Sequence, residues 1–558
     1  MFEDRATVNI TYDEGKLLQI PKGSSLEQLL QKLPPRRHPA LAARVNGALQ
    51  ELDYPLYIDS RVEFLDYDSG PGWRIYRRSL VMLLNMACQE LFPERRLWVS
   101  HSLSQGLFCN FRDQQSCSSR EVSALARRMQ DYIQRDLPIH RRQLSREDAI
   151  LYMEEKGNYE QAELLKQRQE KDLLLHSLGG QEESFFGRTV THSGLLGYFE
   201  LLPYEDGFIL RLPEREYLGV KPQKQLIPGQ LHATLRSYDQ WSRLMGISSI
   251  ADLNRVVRGK PQDFIRLMLV AETLYERQLS QTTDRILQDF PRIRLLLLAG
   301  PSSSGKTTST ERLGIQFRTM GVEPILISTD DFFIDRDSTP MNARGRRDFE
   351  GLAALNLPLF RESMQALLAG EEVLLPIYDF KQGKSIPDHH SLRLEKDQIL
   401  LVEGIHALNP QLSRGIPQGQ LRKIFISALT QINLDAYCPL SSSDNRLLRR
   451  MVRDMQFRGI DPGNTLERWD DVRRGEHENI FPYQEAADFF INSSLIYELP
   501  VLRPLVEDAL AAIPSQHSCY GEAQRLLRLV RYFECAPSEL VPRNSILQEF
   551  IGNSLFSA

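Results

Sequence analysis

Residues 300 to 308, Gly-Pro-Ser-Ser-Ser-Gly-Lys-Thr-Thr, have the types and spacing that suit phosphate. Gly300 and Gly305 with Lys306 and Thr307 fit G-x-x-x-x-G-K-[ST], in which the glycines and the small Ser302, Ser303 and Ser304 let backbone N–H groups converge on phosphate oxygens. Lys306 can then reach the β and γ phosphates, and the Thr307 hydroxyl is placed to ligate Mg2+. The helix that runs on through Thr308 points its positive end at the anion. Two carboxylates stand where phosphoryl chemistry needs them. Asp330 follows the apolar run Pro324-Ile325-Leu326-Ile327-Ser328, and Glu403 follows Ile399-Leu400-Leu401-Val402. Glu403 is the candidate to hold Mg2+, directly or through water, and Asp330 the candidate base for an attacking hydroxyl. Asp331 competes with Asp330 and could instead cap the following turn. Farther on, Arg446, Arg449, Arg450 and Arg453 occupy positions i, i+3, i+4 and i+7, one face of a helix able to close over ATP and meet phosphoryl charge.

These groups need an open α/β sheet to hold them. Leu295 to Ala299 read as a fully buried parallel strand, and Thr308 to Met320 as the helix that follows the loop. The run 324–328, expected beside that strand, delivers Asp330 at its carboxyl end, where open α/β sheets place their ligands. Upstream, Phe264, Leu267, Met268, Ala271, Leu274 and Tyr275 hold one apolar face over several helical turns.

Length and composition set the frame. A chain of 558 residues is too long for one core and implies several domains. Its charged fraction of 25% and hydrophobic fraction of 42% are those of ordinary globular proteins. A net charge of −5 gives no global attraction to nucleic acid or anionic membrane. No apolar run approaches the ~18 residues that span a bilayer, so no membrane partner is expected and the expected location is cytoplasmic. Cys88, Cys109, Cys117, Cys438, Cys519 and Cys535 are scattered without a C-x-x-C pair, which argues against a disulfide framework and a thiolate zinc site.

Beyond the loop, Asp330, the segment Asp348-Phe349-Glu350, Pro376-Ile377-Tyr378-Asp379-Phe380, Glu403-Gly404-Ile405 and the arginine-rich stretch 444–454 together resemble the uridine kinase and phosphoribulokinase family, over about residues 285 to 495. The resemblance implies ATP and Mg2+ as cofactors and an arginine lid, with Arg449 and Arg453 joining Lys306 and Asp330 in catalysis. Arg446 and Arg450 would then contact the nucleotide. It also implies a substrate pocket walled by Phe349 and Tyr378, with Glu350 to accept from ribose hydroxyls. One departure bears on specificity. Uridine kinases follow Y-D-F with a histidine and an arginine that help bind the nucleoside, and this chain has Gly383 and Ser385 there. The stretch 479–483 and the tail 544–552 resemble a bacterial subset of nucleoside kinases with a synthetase-like front. In that tail Ser545 and Gln548 read as a capping box for a short helix.

The front half carries a different resemblance. The alternation in 7–12 and 62–65 and the stretch Ala43 to Leu49 resemble the TGS module of threonyl-tRNA synthetases, and the segments at 76–93, 101–103, 139–141 and 144–149 resemble the editing domain that follows it. Editing domains present H-x-x-x-H and C-x-x-x-H. Here those places hold Met82 and Met86, then Phe185 and Thr189, which are core residues rather than metal ligands, so the editing chemistry is expected to be lost. Arg127, Arg128, Arg135, Arg141, Arg142 and Arg146 could face RNA, as that resemblance invites. They alternate with Asp131, Asp136, Glu147 and Asp148, so a solvated surface is the favoured reading.

The sequence therefore leads to a multidomain α/β protein. It comprises a TGS-like β-grasp (ubiquitin-like) module (1–68), an α+β editing-like domain (69–212), a helical connector (213–290), a P-loop kinase domain with a parallel sheet flanked by helices (291–500) and a helical extension (501–558). The expected activity is transfer of the γ-phosphoryl group of ATP to a small-molecule hydroxyl, foremost the 5′-hydroxyl of a nucleoside. A sugar-phosphate or other metabolite kinase and an RNA- or nucleotide-sensing P-loop ATPase are the alternatives.

Overall fold

The computed structural model describes residues 6–103, 106–113, 115–167, 172–185, 187–213, 229–341, 345, 347–430 and 432–556. The chain divides into two compact units: Met1–Pro228 with Gly246–Asp252 and Gln431–Pro439, and Gly229–Met245 with Leu253–Thr430 and Leu440–Ala558. The connector expected at 213–290 is thus shared between the units, and a nine-residue stretch from within 291–500 clusters with the first.

The first unit opens with a sheet whose strands run in the order 16–21, 7–12, 60–65, 42–45, 48–50. The first hairpin is antiparallel while 7–12 runs parallel to 60–65, the β-grasp arrangement. Alternation drives it, since Val8, Ile10, Val62 and Phe64 fall on the buried face. The helix Leu26–Leu30 packs there, started by a capping box between Ser25 and Gln28. A 22-residue helix, Gly70–Leu91, then covers an antiparallel sheet ordered 200–204, 207–211, 106–111, 97–103. Met82, Met86 and Phe185 lie in the core of this helix and sheet with Cys109, Phe111 and Phe208. Thr189 is fully buried as well. The capping box of Ser118 and Glu121 starts the helix Ser119–Gln134, in which Val122, Leu125 and Met129 are buried as the periodicity requires, joined by Tyr132 ahead of Ile133.

The short hairpin at 433–439 completes this unit, and nothing in the sequence announced its placement. The Val99 N–H donates to the Ala436 carbonyl at 2.8 Å, Asn433 Nδ2 donates to the Val99 carbonyl at 2.8 Å, and the Tyr437 ring packs 5.0 Å from that of Phe185.

The second unit is built on five parallel strands in the order 323–328, 398–403, 295–299, 421–427, 489–492. The phosphate-loop strand Leu295–Ala299 is central and every residue of it is buried, which explains its unbroken apolar run. Contrary to the expected adjacency, 323–328 is not its neighbour, because the Glu403 strand lies between them. Helices Lys306–Thr319, Ser442–Arg458 and Pro462–Asn479 belong to this unit, with the long helix Pro261–Leu287 burying Phe264, Leu267, Met268, Ala271 and Tyr275. A two-stranded antiparallel hairpin, Glu372–Asp379 and Lys384–Arg393, also belongs to this unit. The tail helix begins at Gln548, later than the capping box required. Ser545 Oγ accepts from the Leu547 N–H at 3.1 Å, and Gln548 reaches back to the Val541 carbonyl at 2.8 Å, so neither side chain caps the helix. No helix among the described residues is long and apolar enough to cross a membrane.

Candidate functional site

The phosphate loop leaves the central strand where no side chain can be admitted. A Cβ on Gly300 would meet the Ile426 carbonyl oxygen at 1.9 Å, so only glycine lets the loop start against the neighbouring strand. Ser303 and Gly305 take positive φ, 57° and 78°, which turns successive N–H groups inward and starts the helix at Lys306. The hydroxyls of Ser303 and Ser304 are buried without a protein partner, as a loop built for an anion requires. Lys306 Nζ donates to the Pro301 carbonyl at 3.3 Å, so its ammonium lies across the loop.

Strand register gathers the acidic residues. Glu403 is level with Leu298 of the loop strand on one side and with Ser328 on the other, so Asp330 emerges beside it. Gly404 makes this closeness possible, because a Cβ there would meet Thr329 Oγ1 at 1.7 Å. The two carboxylates and Glu350 are partly exposed and share one electrostatic environment. Desolvation raises Asp330, Lys306 opposes that rise and Asp331 adds to it. Desolvation pushes Glu403 up to about 7, with Lys306 opposing and the negative charges of Asp330 and Glu549 adding. Glu350 is likewise pushed up to about 7 by desolvation, against the pull of Arg450 and Lys306. Asp331 faces elsewhere. It too is raised by desolvation, but the groups that stabilise its charge are the Tyr378 backbone and His389 and His390 of the hairpin. Of the adjacent pair, Asp330 is therefore the one that shares the environment of Lys306.

The expected substrate side chains form an aromatic corner. Phe333 is the hub, with ring centroids 5.5 Å from Tyr378, 6.5 Å from Phe349 and 6.4 Å from Phe380. Tyr378 is buried and its hydroxyl has no protein partner, whereas Phe349 stands at the rim. Glu350 packs on Gly475, where a Cβ would come within 2.7 Å of its own. At the hairpin turn Gly383 has φ 70°, and the Arg336 guanidinium lies over it, 2.6 Å from where a Cβ would stand. Arginine from another segment thus fills the space that a side chain at 383 would take.

The arginine face differs most from expectation. The periodicity holds, but the stripe faces inward. Arg446 donates to the Ser302 carbonyl at 3.0 Å and binds Glu476 through both terminal nitrogens. Glu476 in turn accepts the Ser302 N–H at 2.9 Å. Arg450 reaches the Ser302 hydroxyl at 2.9 Å. Arg449, expected to act on phosphoryl charge, is completely buried and held by Glu498 and the Ser493 carbonyl. It is an anchor, since freeing it would strand Glu498 in the interior. Arg453 lies 3.9 Å from Glu549 and above the Phe550 ring. Sequence reasoning missed Glu476, Glu498 and Glu549. The available signal was the stripe itself, because arginines that a packed helix face buries, as it does Arg446 and Arg449, require carboxylates opposite.

In the first unit five of the six arginines weighed for RNA are ion-paired, and Arg127 is exposed. Arg128 pairs with Glu90 and Asp131, Arg135 with Asp131, Arg141 with Glu51 and Asp53, Arg142 with Glu182, and Arg146 with Glu147.

Comparison with known proteins separates the two halves. Residues 295–496 match the Phosphoribulokinase / Uridine kinase family. The N-terminal region is similar to threonine–tRNA ligases. That of Rubrobacter xylanophilus is 28% identical over 198 residues, 35% of this chain and 30% of the ligase. That of Acidithiobacillus ferrooxidans is 31% identical over 163 residues, 29% of this chain and 25% of the ligase. The chain spans about a third or less of the length of these curated relatives. Among solved structures, a possible uridine kinase from Bacillus stearothermophilus aligns at 19% identity over 27% of this chain and 79% of its own, with a TM-score of 0.23. D-glycerate 3-kinase from Cryptococcus neoformans aligns at 15% identity over 50% and 91%, with a TM-score of 0.21.

Proposed function

We propose, taking as premise that residues 295–496 are a domain of the phosphoribulokinase and uridine kinase family, that the protein transfers the γ-phosphoryl group of ATP to the 5′-hydroxyl of a nucleoside. The observation that carries this reading is the convergence of Asp330 and Glu403 on Lys306 at the carboxyl ends of adjacent strands. A loop that only senses nucleotide has no use for a second strand-end carboxylate aimed at the same lysine.

Each residue then has a task. The loop amides and Lys306 hold the phosphates, and Lys306 neutralises charge that grows on the transferred group. Asp330 accepts the proton of the attacking hydroxyl, and its raised basicity suits that task. Arg446 and Arg450, already on Ser302, present positive charge at the loop. The residues fit a divalent cation, since Glu403 and Asp330 are hard oxygen donors that desolvation raises, with the negative charge of Asp330 raising Glu403 further. Thr307 and Glu403 would hold Mg2+, which neutralises phosphate charge when bound. Phe349 and Tyr378 would flank the acceptor, and Glu350 would accept from its ribose hydroxyls. The ion-paired arginines of the front unit support a structural surface there over an RNA-binding one.

Phosphate transfer from ATP across a panel of nucleosides, sugar phosphates and glycerate tests the reading. Nucleosides should give the highest kcat/KM. A sugar phosphate or glycerate in that place would move the acceptor class, and ATP turnover without any acceptor would favour a regulatory ATPase.

A further inference from the structure

The loop that would receive a triphosphate already carries protein carboxylates. Thr308 is the third residue of the helix that begins at Lys306, so its N–H is one of the donors that the helix leaves free for an anion. Glu549, from the tail helix Gln548–Ile551, takes that donor: its Oε2 accepts from the Thr308 hydroxyl at 2.8 Å and from the Thr308 N–H at 3.4 Å. Glu476 occupies a second donor of the loop, the Ser302 N–H. Both glutamates are buried, and each also faces an arginine of the helix 442–458, Glu476 with Arg446 and Glu549 with Arg453.

The rest of the tail is fitted to the same place. Ile546 presses on the loop, with its Cδ1 2.4 Å from where a Cβ on Gly305 would stand. The Phe550 ring lies under two of the arginines, 5.0 Å from Arg449 Cζ and 6.0 Å from Arg453 Cζ. Ile546, Leu547 and Phe550 are completely buried, so the segment is docked along its length. A carboxylate on the amide donors, with an aromatic ring beside the partly exposed Arg453, offers the two kinds of group a nucleotide offers, an anion and a flat π-face.

We propose that the tail segment 545–551 is an internal nucleotide mimic, in which Glu549 holds the phosphate position at Thr308 and must be displaced when ATP binds. This rests on the reading of the loop as an ATP site. Its consequence is a coupling: the tail is released as nucleotide enters, and any partner that draws the tail away raises nucleotide affinity. Phosphate has the advantage in the exchange because it brings more charge to Lys306 and the loop amides than one carboxylate does. A retained Glu549 would repel it across the same donors.

The test is calorimetric binding of the Mg2+ complex of a non-hydrolysable ATP analogue to the full chain, with Glu549→Gln, Phe550→Ala and Lys306→Ala. Glu549→Gln keeps the shape and removes the charge, so it should bind the analogue about tenfold more tightly, with Phe550→Ala shifted the same way. In the unaltered protein, the analogue should also speed hydrogen exchange at residues 547–552, a readout that needs no variant to fold. Glu549→Gln binding as the parent does, or more weakly, while Lys306→Ala abolishes binding, would show the tail to be a fixed wall of the site and overturn the mimic alone. Absence of binding in the parent, or binding unaffected by Lys306→Ala, would remove the ATP reading and the mimic with it.

Discussion

Asp330 and Asp331 are adjacent in the chain and opposed in the fold. Asp330 answers to Lys306, while Asp331 answers to the Tyr378 backbone and two histidines. Asp330→Asn keeps hydrogen bonding but removes the base, so kcat should fall about 10²-fold or more while the affinity for ATP changes little. Asp331→Asn should change kcat far less, and steady-state kinetics on both variants decide the assignment. A reversal of the two effects would move the base one residue along. Another residue carries a pH signature. His176 is fully buried, neither ring nitrogen has a protein partner, and burial with Arg141 and Arg78 nearby lowers its pKa to about 3. The unfolded chain takes up this proton near pH 6.5 and the folded chain does not, so the stability is complete above that pH and is lost as pH falls towards 3. The loss is about 1.4 kcal/mol per pH unit below the unfolded value. Between pH 7.5 and 5.5 the thermal midpoint of the first unit should therefore drop further in the parent than in His176→Leu. Equal drops would show that the ring is already charged in the fold.

At the scale of elements, periodicity foretold a helix and not the direction of its face. The stripe Arg446, Arg449, Arg450 and Arg453 is real, yet only Arg450 pairs locally, with Asp454 at 3.4 Å, while Arg446, Arg449 and Arg453 find Glu476, Glu498 and Glu549 in segments up to about a hundred residues away, which no local pattern reveals. The hairpin 372–393 teaches the same lesson about specificity. Gly383 reads in sequence as a lost nucleoside contact, a place where uridine kinases carry histidine. In the fold it is a turn residue at φ 70° with Arg336 lying over it. Gly383→His should consequently strain the turn and displace Arg336, costing about 1 kcal/mol or more in stability. It should lower kcat/KM for every acceptor, without reordering a nucleoside panel. A reordered preference with unchanged thermal stability would show that position 383 reads the base after all.

At the scale of the whole molecule, the hairpin 433–439 is the feature that joins distant parts of the sequence in one unit. Strand 421–427 precedes it and the arginine helix follows it, yet its bonds are to Val99 and Glu183. A fragment comprising residues 253–558 would carry Leu434, Asp435 and Tyr437 without those partners. Leu434 and Asp435 are buried in the full chain, and burial lifts Asp435 to about 7. Such a fragment should aggregate on expression, and replacing 432–438 by a short Gly/Ser link should restore a monodisperse species in size-exclusion chromatography. Equal behaviour of the two fragments would mean that the hairpin needs no partner. For the same reason, a fragment 1–212 is an incomplete first unit, and questions of metal content in the front half belong to the full chain.

The sequence by itself determined the groups whose chemistry is local. The phosphate loop, the strand-end Asp330 and Glu403 and the apolar Met82, Met86 and Phe185 were legible because a loop, a strand terminus and a packed helix face are each specified within a few residues. Tertiary structure alone decided the rest. It placed the Glu403 strand between its two neighbours, separated Asp330 from Asp331, turned four arginines inward, set Arg336 over Gly383 and brought Glu549 to Thr308. The physical reason is common to all of these. A charge or a glycine has no fixed meaning until its partner is known, and here each partner comes from a distant segment delivered by strand order and helix packing.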